Sequence, residues 1–305
     1  MQRTERGNDK EDIEQADVFM SVVIPAYNEE ERIHVMLEEA VEFLDREYSN
    51  ESQDQKQLSG MRQRNQGHER VTSNGAHGRQ HNTASSGWEI LVISDGSTDN
   101  TVSVTLDFAQ KHSGGSIRVV ELVTNRGKGG AVTHGMRHVR GDFVVFADAD
   151  GASKFEDLRK LLKVCQESQD EHGRAVAVGS RAHLVGSDAV VKRSKLRNFL
   201  MHSFHVLLRL LTPPATSKIK DTQCGFKLFS RQSLPHIIPH MHSEGWIFDV
   251  EMLMLAESAN IPMVEVPIGW KEVKGSKLNV VWDSLGMAWG LAILRAAWAI
   301  GVYKV

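Results

Sequence analysis

Residues 142–150 read DFVVFADAD, an apolar run that ends in two acids one residue apart. The run is typical of a buried strand, which places Asp148 and Asp150 at its carboxyl end. Carboxylate oxygens suit Mg²⁺ or Mn²⁺, and Mg²⁺ is usually held by one or two carboxylates plus phosphate oxygens. An isolated D-x-D is more often a loop with two solvated acids. The stretch therefore predicts a metal and diphosphate site if other motifs support it.

Apolar runs of the same kind recur before this stretch, and segments with helical spacing separate them. The four predicted strands are Met20–Pro25, Trp88–Ser94, Ile117–Val123 and Phe143–Ala147. This alternation predicts a doubly wound α/β sheet with helices on both faces. Ligands of such sheets bind beyond the carboxyl ends of the strands, which is where the motifs of this chain lie.

Composition excludes several classes of protein. The chain has 305 residues and a net charge of −3, so no global basic field points to nucleic acid. Two cysteines cannot form a disulfide framework and are compatible with a reducing compartment. Residues 1–16 are polar and charged, so we expect neither a signal peptide nor a spanning helix there.

Local composition divides the chain. We expect a polar tail at 1–19, a catalytic domain at 20–278 and an apolar interfacial helix at 279–305, where Trp and Arg favour a headgroup layer. Residues 49–87 are poor in large apolar side chains and predict a disordered insertion. Residues 192–212 predict an amphipathic helix near an acceptor site. An ordinary hydrophobic core remains the alternative for both apolar segments.

Two strand ends carry side chains suited to a nucleoside. The first strand ends PAYNE (25–29), where Tyr27 offers a ring for stacking and Glu29 can accept from a sugar hydroxyl or cap a helix. The second ends SDGS (94–97), where Asp95 can accept from a base or ribose. Helix capping is an equally good interpretation of either motif alone.

A glycine cluster follows the third strand. Residues 125–131 read NRGKGGA, and glycines before a helix are expected to expose backbone N–H groups to an anion, with charge added by Lys128 or Arg126. The cluster is not a P-loop, and its place after the third strand excludes the dinucleotide fingerprint.

Together the motifs PAYNE, SDGS, NRGKGGA and DADG resemble family 2 nucleotide-sugar glycosyltransferases with the GT-A fold, a doubly wound mixed sheet. Downstream, GSR (179–181), DTQCGFK (221–227), WIFDVE (246–251) and GSKL (275–278) resemble the dolichyl-phosphate β-glucosyltransferases. The similarity covers about residues 20 to 300 apart from the insertion. Two departures are Ser94-Asp95, where the family commonly has two acids, and the polar start, where eukaryotic relatives have a spanning helix.

The resemblance implies UDP-glucose as donor, dolichyl phosphate as acceptor and Mg²⁺ or Mn²⁺ as cofactor. It implies the endoplasmic reticulum membrane as location, with the catalytic domain facing the cytosol, and a role in protein N-glycosylation. The residues that match the UDP-glucose contacts are Pro25, Tyr27, Glu29, Asp95, Lys128 and Asp148. Those matching the metal pair are Asp148 and Asp150, and Arg181 and Lys277 match basic residues near the diphosphate and lipid phosphate.

Further roles follow from charge and place. Lys192, Arg193 and Arg197 could steer the lipid phosphate and rest on anionic headgroups. Asp249 and Glu251 lie in an apolar helix, where a structural pairing and an acceptor-side catalytic role for Asp249 remain open. The expected reaction is an inverting in-line displacement that needs no strong base, because a phosphomonoester is already ionised at pH 7.

Rival functions differ in testable features. A mannosyltransferase of the same fold would use GDP-mannose, and a non-catalytic membrane-bound sugar-nucleotide binder would transfer nothing. A processive polysaccharide synthase would bring several spanning helices and a Q-x-x-R-W-type segment. A nicotinamide oxidoreductase needs a glycine-rich turn after the first strand, where residues 25–28 read PAYN.

Overall fold

The computed structural model describes residues 16–49, 86–112, 116–184, 203, 206–273 and 280–303. Most of the predicted insertion at 49–87 and most of the predicted helix at 192–212 lie outside these ranges. Of the latter, residues 206–211 are helical.

One mixed sheet organises the described residues, in the order β3-β2-β1-β4-β6-β5-β7. Its strands are β1 (Val18–Ala26), β2 (Trp88–Ser94), β3 (Ile117–Glu121), β4 (Gly141–Ala147), β5 (Val176–Ser180), β6 (Phe226–Ser230) and β7 (Met263–Pro267). Strands β1 to β4 pair in parallel, as do β5 and β7, whereas β6 is antiparallel to β4 and β5. The four strands predicted from apolar runs are confirmed, with shifts of a few residues at their ends.

Helices cover both faces of this sheet. They are α1 (Ile33–Tyr48), α2 (Thr101–His112), α3 (Gly127–Arg137), α4 (Leu158–Glu167), α5 (Pro214–Lys218), α6 (Phe248–Ser258) and α7 (Val280–Ala299). Side chains alternate between faces along a strand, so Val22 and Ile24 pack with α1 and α4. Val23 between them packs with α3 and α6. The predicted doubly wound arrangement is confirmed.

Helix α7 packs beside α6 through part of its surface only. Leu291 and Leu294 are buried in a cluster with Val250 and Met254 of α6. On the same helix Trp289 is 70% exposed and Ile293 is 52% exposed. Among the described helices, none has both the length and the apolar composition needed to cross a bilayer.

The buried carboxylate of Glu89 connects neighbouring strands near their amino-terminal ends. Glu89 is fully buried and accepts hydrogen bonds from Ser21 Oγ (2.6 Å) and the Arg140 backbone N–H (2.6 Å). The Arg118 guanidinium donates to its second oxygen at 2.7 Å. Burial alone would raise the pKa of Glu89, but these donors outweigh it and hold the pKa below its ordinary value.

Replacing Glu89 by Gln is expected to lower the free energy of unfolding by about 2 kcal/mol at pH 7, because charge-assisted hydrogen bonds are lost. The depressed pKa stabilises the fold above the unfolded value, and this contribution is lost as pH falls through the folded pKa. The gap between E89Q and the unmodified protein should therefore close in acid. Urea unfolding at several pH values measures it. The matched control is Glu167→Gln, which changes an exposed pair on α4; an equal effect of the two substitutions would contradict the prediction.

Candidate active site

Asp148 and Asp150 lie where β4 ends, beside the antiparallel strand β6. The Asp148 backbone N–H donates to Gly225 O at 3.1 Å, and Asp150 Oδ1 accepts from the Ala152 N–H at 3.0 Å. Burial, followed by the charge of Asp148, raises the pKa of Asp150 above its ordinary value. The two carboxylates therefore lie close enough for their charges to interact, and metal binding by them stays a prediction.

The Asp148 carboxylate occupies space that is free because Gly225 has no side chain. A Cβ built on Gly225 would come closer than 3.0 Å to both carboxylate oxygens and Cγ of Asp148, a separation that real Cβ atoms essentially never show. The first residue of β6, Phe226, pairs with Ala147 of β4, which brings Gly225 opposite Asp148. Only glycine fits at this position while the carboxylate keeps its place.

Lys128 is ion-paired to this site. Its Nζ lies 2.6 Å from Asp148 Oδ1, and the two side chains are 18% and 35% exposed. Burial alone would lower the pKa of Lys128, but Asp148 and Asp249 outweigh it and raise the pKa above its ordinary value. The ammonium of Lys128 therefore lies beside Asp148, and its contact with a diphosphate stays a prediction.

The glycine cluster in the first turn of α3 serves a different purpose from the one predicted. The N–H groups of Gly129 and Gly130 donate to Glu244 O at 2.8 and 3.2 Å, and the Gly127 N–H donates to Asn125 Oδ1. A Cβ at Gly129 would meet Ser243 O at 2.6 Å. The expectation that these N–H groups face an anion is wrong, because the glycines let the 243–245 backbone approach and cap the helix.

The predicted nucleoside contacts gather at the ends of β1 and β2. Tyr27 is 41% exposed, so its ring can stack on a base. Pro25 lies in the last part of β1, paired with Ile93. The Glu29 carboxylate accepts two hydrogen bonds from Arg32, at 2.7 and 2.6 Å. Contact of these residues with a nucleotide stays a prediction.

Asp95 is nearly buried and holds the loop that leads into α3. Its Oδ1 accepts from the Arg126 backbone N–H at 2.7 Å. Burial raises the pKa of Asp95 above its ordinary value, with the Arg126 N–H opposing this effect. The structure thus gives Asp95 a loop-bracing contact, and its base or ribose contact remains a prediction.

Arg181 follows β5 and is fixed by a partner that the sequence did not single out. Its Nε and Nη2 donate to the two oxygens of Asp221 at 2.7 and 2.8 Å, and its backbone N–H donates to Asp221 as well. The guanidinium lies 5.9 Å from the Trp270 ring centroid. Such a bidentate pair orients Arg181 rigidly. Burial would lower the pKa of Arg181, but the hydrogen bonds and charge of Asp221, with a smaller contribution from Asp148, raise it.

Asp249 lies in α6, nearly buried, and its Oδ1 accepts from the ammonium of Lys227. Lys227 is fully buried in β6 and also donates to Cys224 O at 2.6 Å. Burial raises the pKa of Asp249, while Lys227 and then Lys128 oppose the rise. Of the two roles left open for Asp249, this geometry favours structural pairing.

Glu251 ties the same helix to the segment that covers the glycines. Its oxygens accept from the His242 and Ser243 backbone N–H groups at 2.9 and 2.7 Å, and from the Tyr303 hydroxyl. Tyr303 stacks on Trp298 of α7. The 242–246 segment is therefore fixed both to α3 and to the end of the described chain.

The remaining predicted site residues, Lys277, Lys192, Arg193 and Arg197, lie outside the described residues. The segment that leads toward Lys277 runs beside the loop after β4, since the Lys271 N–H donates to Ala152 O at 2.9 Å.

Sequence reasoning missed four residues that complete the site: Asp221, Gly225, Lys227 and Trp246. Three of them lie in DTQCGFK, which was used only as a mark of resemblance. A lysine inside the apolar run FKLFS was a usable signal, because a buried lysine requires an anionic partner.

An apolar groove opens next to Lys128. Its volume is about 470 Å³, and it lies between α7 and the segment 242–247. Trp246, Met287 and Leu294 are among the side chains that line it. The Trp246 ring centroid is also 6.0 Å from Lys128 Nζ, so one aromatic ring borders both the groove and the charged site.

The donor set fits a hard divalent cation. Two carboxylates whose charges act on each other favour a positive ion between them, and Mg²⁺ in phosphate-handling sites uses one or two carboxylates plus substrate phosphates. Within the described ranges, no group of three or more His, Cys, Asp or Glu side chains forms a metal site by itself.

Comparison with known proteins shows which family this chain resembles. A model described as "Glycosyl transferase family 2" matches residues 79–238. A dolichyl-phosphate beta-glucosyltransferase of Saccharomyces cerevisiae is 42% identical, over 94% of this chain and 77% of the relative. Proteins with the same name from Drosophila melanogaster (41%; 94% and 77%) and Homo sapiens (37%; 94% and 78%) are also similar.

Solved structures share the fold at low identity. Glucosyl-3-phosphoglycerate synthase from Mycobacterium tuberculosis, in complex with Mn²⁺, uridine diphosphate and glucosyl-3-phosphoglycerate, has a TM-score of 0.57 and 17% identity, over 92% of this chain and 79% of that chain. The same enzyme with Mg²⁺ and uridine diphosphate has a TM-score of 0.54, with the same identity and coverage. The expected GT-A fold is confirmed. The chain belongs to glycosyl transferase family 2 and, within it, to the dolichyl-phosphate beta-glucosyltransferases.

Proposed function

We propose that the chain transfers glucose from UDP-glucose to dolichyl phosphate with inversion, forming dolichyl β-D-glucosyl phosphate for protein N-glycosylation. The observation that carries the proposal is the contact between a charged site and an apolar groove. Lys128 and Asp148 provide charges for a diphosphate and a cation, and Trp246 connects them to a groove suited to a lipid chain. The names of the curated relatives support the same donor and acceptor.

The chemistry requires positioning and charge compensation. An oxygen of the lipid phosphate forms a bond to C1 of glucose while the bond from C1 to the UDP oxygen breaks on the opposite face. The nucleophile is already anionic at pH 7, so a buried, lysine-paired Asp249 is consistent with a reaction that needs no strong base. The protein's task is to hold two anions together.

Cationic side chains reduce the repulsion between the two phosphate groups. Lys128 lies at the carboxylate pair, and the Arg181 guanidinium is oriented by Asp221. Lys277 would add charge from the segment after β7, and Lys192, Arg193 and Arg197 would guide the lipid phosphate. Like charges in a partly desolvated site repel strongly, so these cations lower the barrier.

Asp148 and Asp150 would hold Mg²⁺ or Mn²⁺, which when bound neutralises charge on the departing diphosphate. Tyr27, with Pro25, Glu29 and Asp95 around it, would bind the uridine. The ring of Tyr27 is open enough for a base to stack on it.

The proposed place of action is the endoplasmic reticulum membrane, with the catalytic domain toward the cytosol. The exposed Trp289 on α7 supports membrane contact, because tryptophan favours the headgroup layer. Helix α7 would then lie along the surface with its groove side turned to the catalytic domain.

A donor competition tests the function. The purified chain, given a short polyprenyl phosphate in detergent with Mn²⁺, is expected to form lipid-linked glucose from UDP-glucose and little product from GDP-mannose. Thin-layer separation of radiolabelled lipid measures both products. Preference for GDP-mannose would move the chain to the mannosyltransferases, and binding of UDP-glucose without transfer would make it a non-catalytic binder.

A further inference from the structure

The carboxylate pair already has a positive partner within the protein. Lys128 Nζ lies 2.6 Å from Asp148 Oδ1, in a position where both side chains are partly shielded from water. A shielded ion pair is screened by salt much less than a surface pair. Any other cation that approaches Asp148 therefore meets an ammonium.

The position of Lys128 is fixed at its base and adjustable at its tip. Its backbone lies in the first turn of α3, where Gly129 and Gly130 are hydrogen-bonded to Glu244 O. Its ammonium is 6.0 Å from the ring centroids of Trp246 and Phe248. The lysine side chain is a flexible four-carbon stem, so the ammonium can change partners without a change in the helix.

The other nearby cations have carboxylate partners of their own. Lys227 is paired with Asp249, Arg181 with Asp221, and Arg32 with Glu29. Lys128 is the cation that the described structure pairs with Asp148 itself. Lys128 therefore neutralises chiefly Asp148, whereas Arg32 and Lys128 both oppose the rise in the pKa of Asp150.

We propose that Lys128 is an exchangeable counter-ion that makes metal binding depend on the nucleotide. In the free protein its ammonium competes with a divalent cation for Asp148. When a nucleoside diphosphate arrives, the ammonium turns to the phosphates, which lysine binds as a point charge, and the carboxylates become available to the metal. The inference rests on the metal site of the proposed function.

Reciprocity gives this arrangement a measurable form. If the nucleotide raises the affinity for metal, the metal must raise the affinity for nucleotide by the same factor. Removing the ammonium should therefore do two things: it should strengthen binding of metal alone, and it should weaken the coupling between metal and nucleotide.

The test compares Mn²⁺ binding by the whole chain with and without UDP, measured by the electron paramagnetic resonance signal of free Mn²⁺. Lys128→Met keeps an unbranched side chain and removes the charge. This variant is expected to bind Mn²⁺ alone about tenfold more tightly than the unmodified protein. The factor by which UDP raises the Mn²⁺ affinity should be about tenfold smaller in the variant. Lys163→Met, an exposed site on α4, is the control for loss of one charge.

Lys128→Arg distinguishes loss of the positive charge from a folding defect in the Met variant. Arginine retains the charge, so it should restore weak binding of Mn²⁺ alone. Equal Mn²⁺ affinities of K128M and the unmodified protein, with UDP strengthening both equally, would overturn the counter-ion role and leave the proposed function intact. Absence of Mn²⁺ binding in every protein even with UDP would overturn both the role and the metal site.

Discussion

Asp150→Ala is expected to reduce glucose transfer by at least about 100-fold in kcat, the scale seen when one stabilising group is removed from a charged transition state. Asp150 is one of two carboxylates in a site where burial, and then the charge of Asp148, raises its pKa. Without it, a divalent cation loses a ligand, and the departing diphosphate loses its compensation. The measurement is the rate of transfer to a short polyprenyl phosphate over a range of Mn²⁺ concentrations. Excess Mn²⁺ raises the rate where the defect is weaker metal binding, and the loss that remains at saturating Mn²⁺ is the loss in kcat.

Asp142→Ala is the matched control, because Asp142 lies at the other end of β4. This substitution is expected to leave the rate unchanged. Circular dichroism of both variants separates a catalytic loss from unfolding. Transfer by D150A at the unmodified rate would remove the metal site from the proposed mechanism.

Gly225→Ala is expected to be as damaging as the loss of a charged residue, although it adds a single methyl group. The new Cβ would overlap the Asp148 carboxylate and displace it from Lys128. Misplacement of a reacting group by about 1 Å can cost about 100-fold in rate, so we expect a fall of that size together with weaker binding of Mn²⁺ and UDP. Gly286→Ala is the control for binding of Mn²⁺ and UDP, since Gly286 lines the apolar groove and a Cβ added there would meet no atom within 4 Å.

A double substitution distinguishes displacement of Asp148 from a general folding defect. Overpacking costs about 1–3 kcal/mol, and Asp148→Ala removes the atoms that the new Cβ would strike. The pair Asp148→Ala with Gly225→Ala should therefore be more stable to urea than Gly225→Ala alone, although it remains inactive. If the double variant is no more stable than the single one, the overlap with Asp148 is not the cause.

Periodicity predicted the first half of the sheet because β1, β2, β3 and β4 follow one another with regular helical connections. Parallel strands buried on both faces appear as continuous apolar runs, and their carboxyl ends share one edge. Asp148, Asp150 and the motifs after β1 and β2 could therefore be placed together from the sequence alone. The insertion of antiparallel β6 between β4 and β5 could not, because pairing between strands about 80 residues apart leaves no local pattern.

The contacts that finish the site are long-range for the same reason. Gly129 and Gly130 look like an anion cradle in the sequence, and the carbonyl that occupies their N–H groups belongs to Glu244, more than 110 residues later. Asp221 and Arg181 are 40 residues apart. Residue type shows that a partner is required, and only the fold shows which partner supplies it.

The pairing of Lys227 with Asp249 also limits how this protein can change in evolution. Loss of one member leaves the other charge buried without a partner, which lowers the stability of the fold by about 3–5 kcal/mol. Replacement of both members by apolar residues is often tolerated. A typical domain has only about 5–15 kcal/mol of stability. We therefore expect the two positions to change together, or one after the other once stability has been gained elsewhere. The two residues, 22 positions apart, should behave in evolution as one inherited unit.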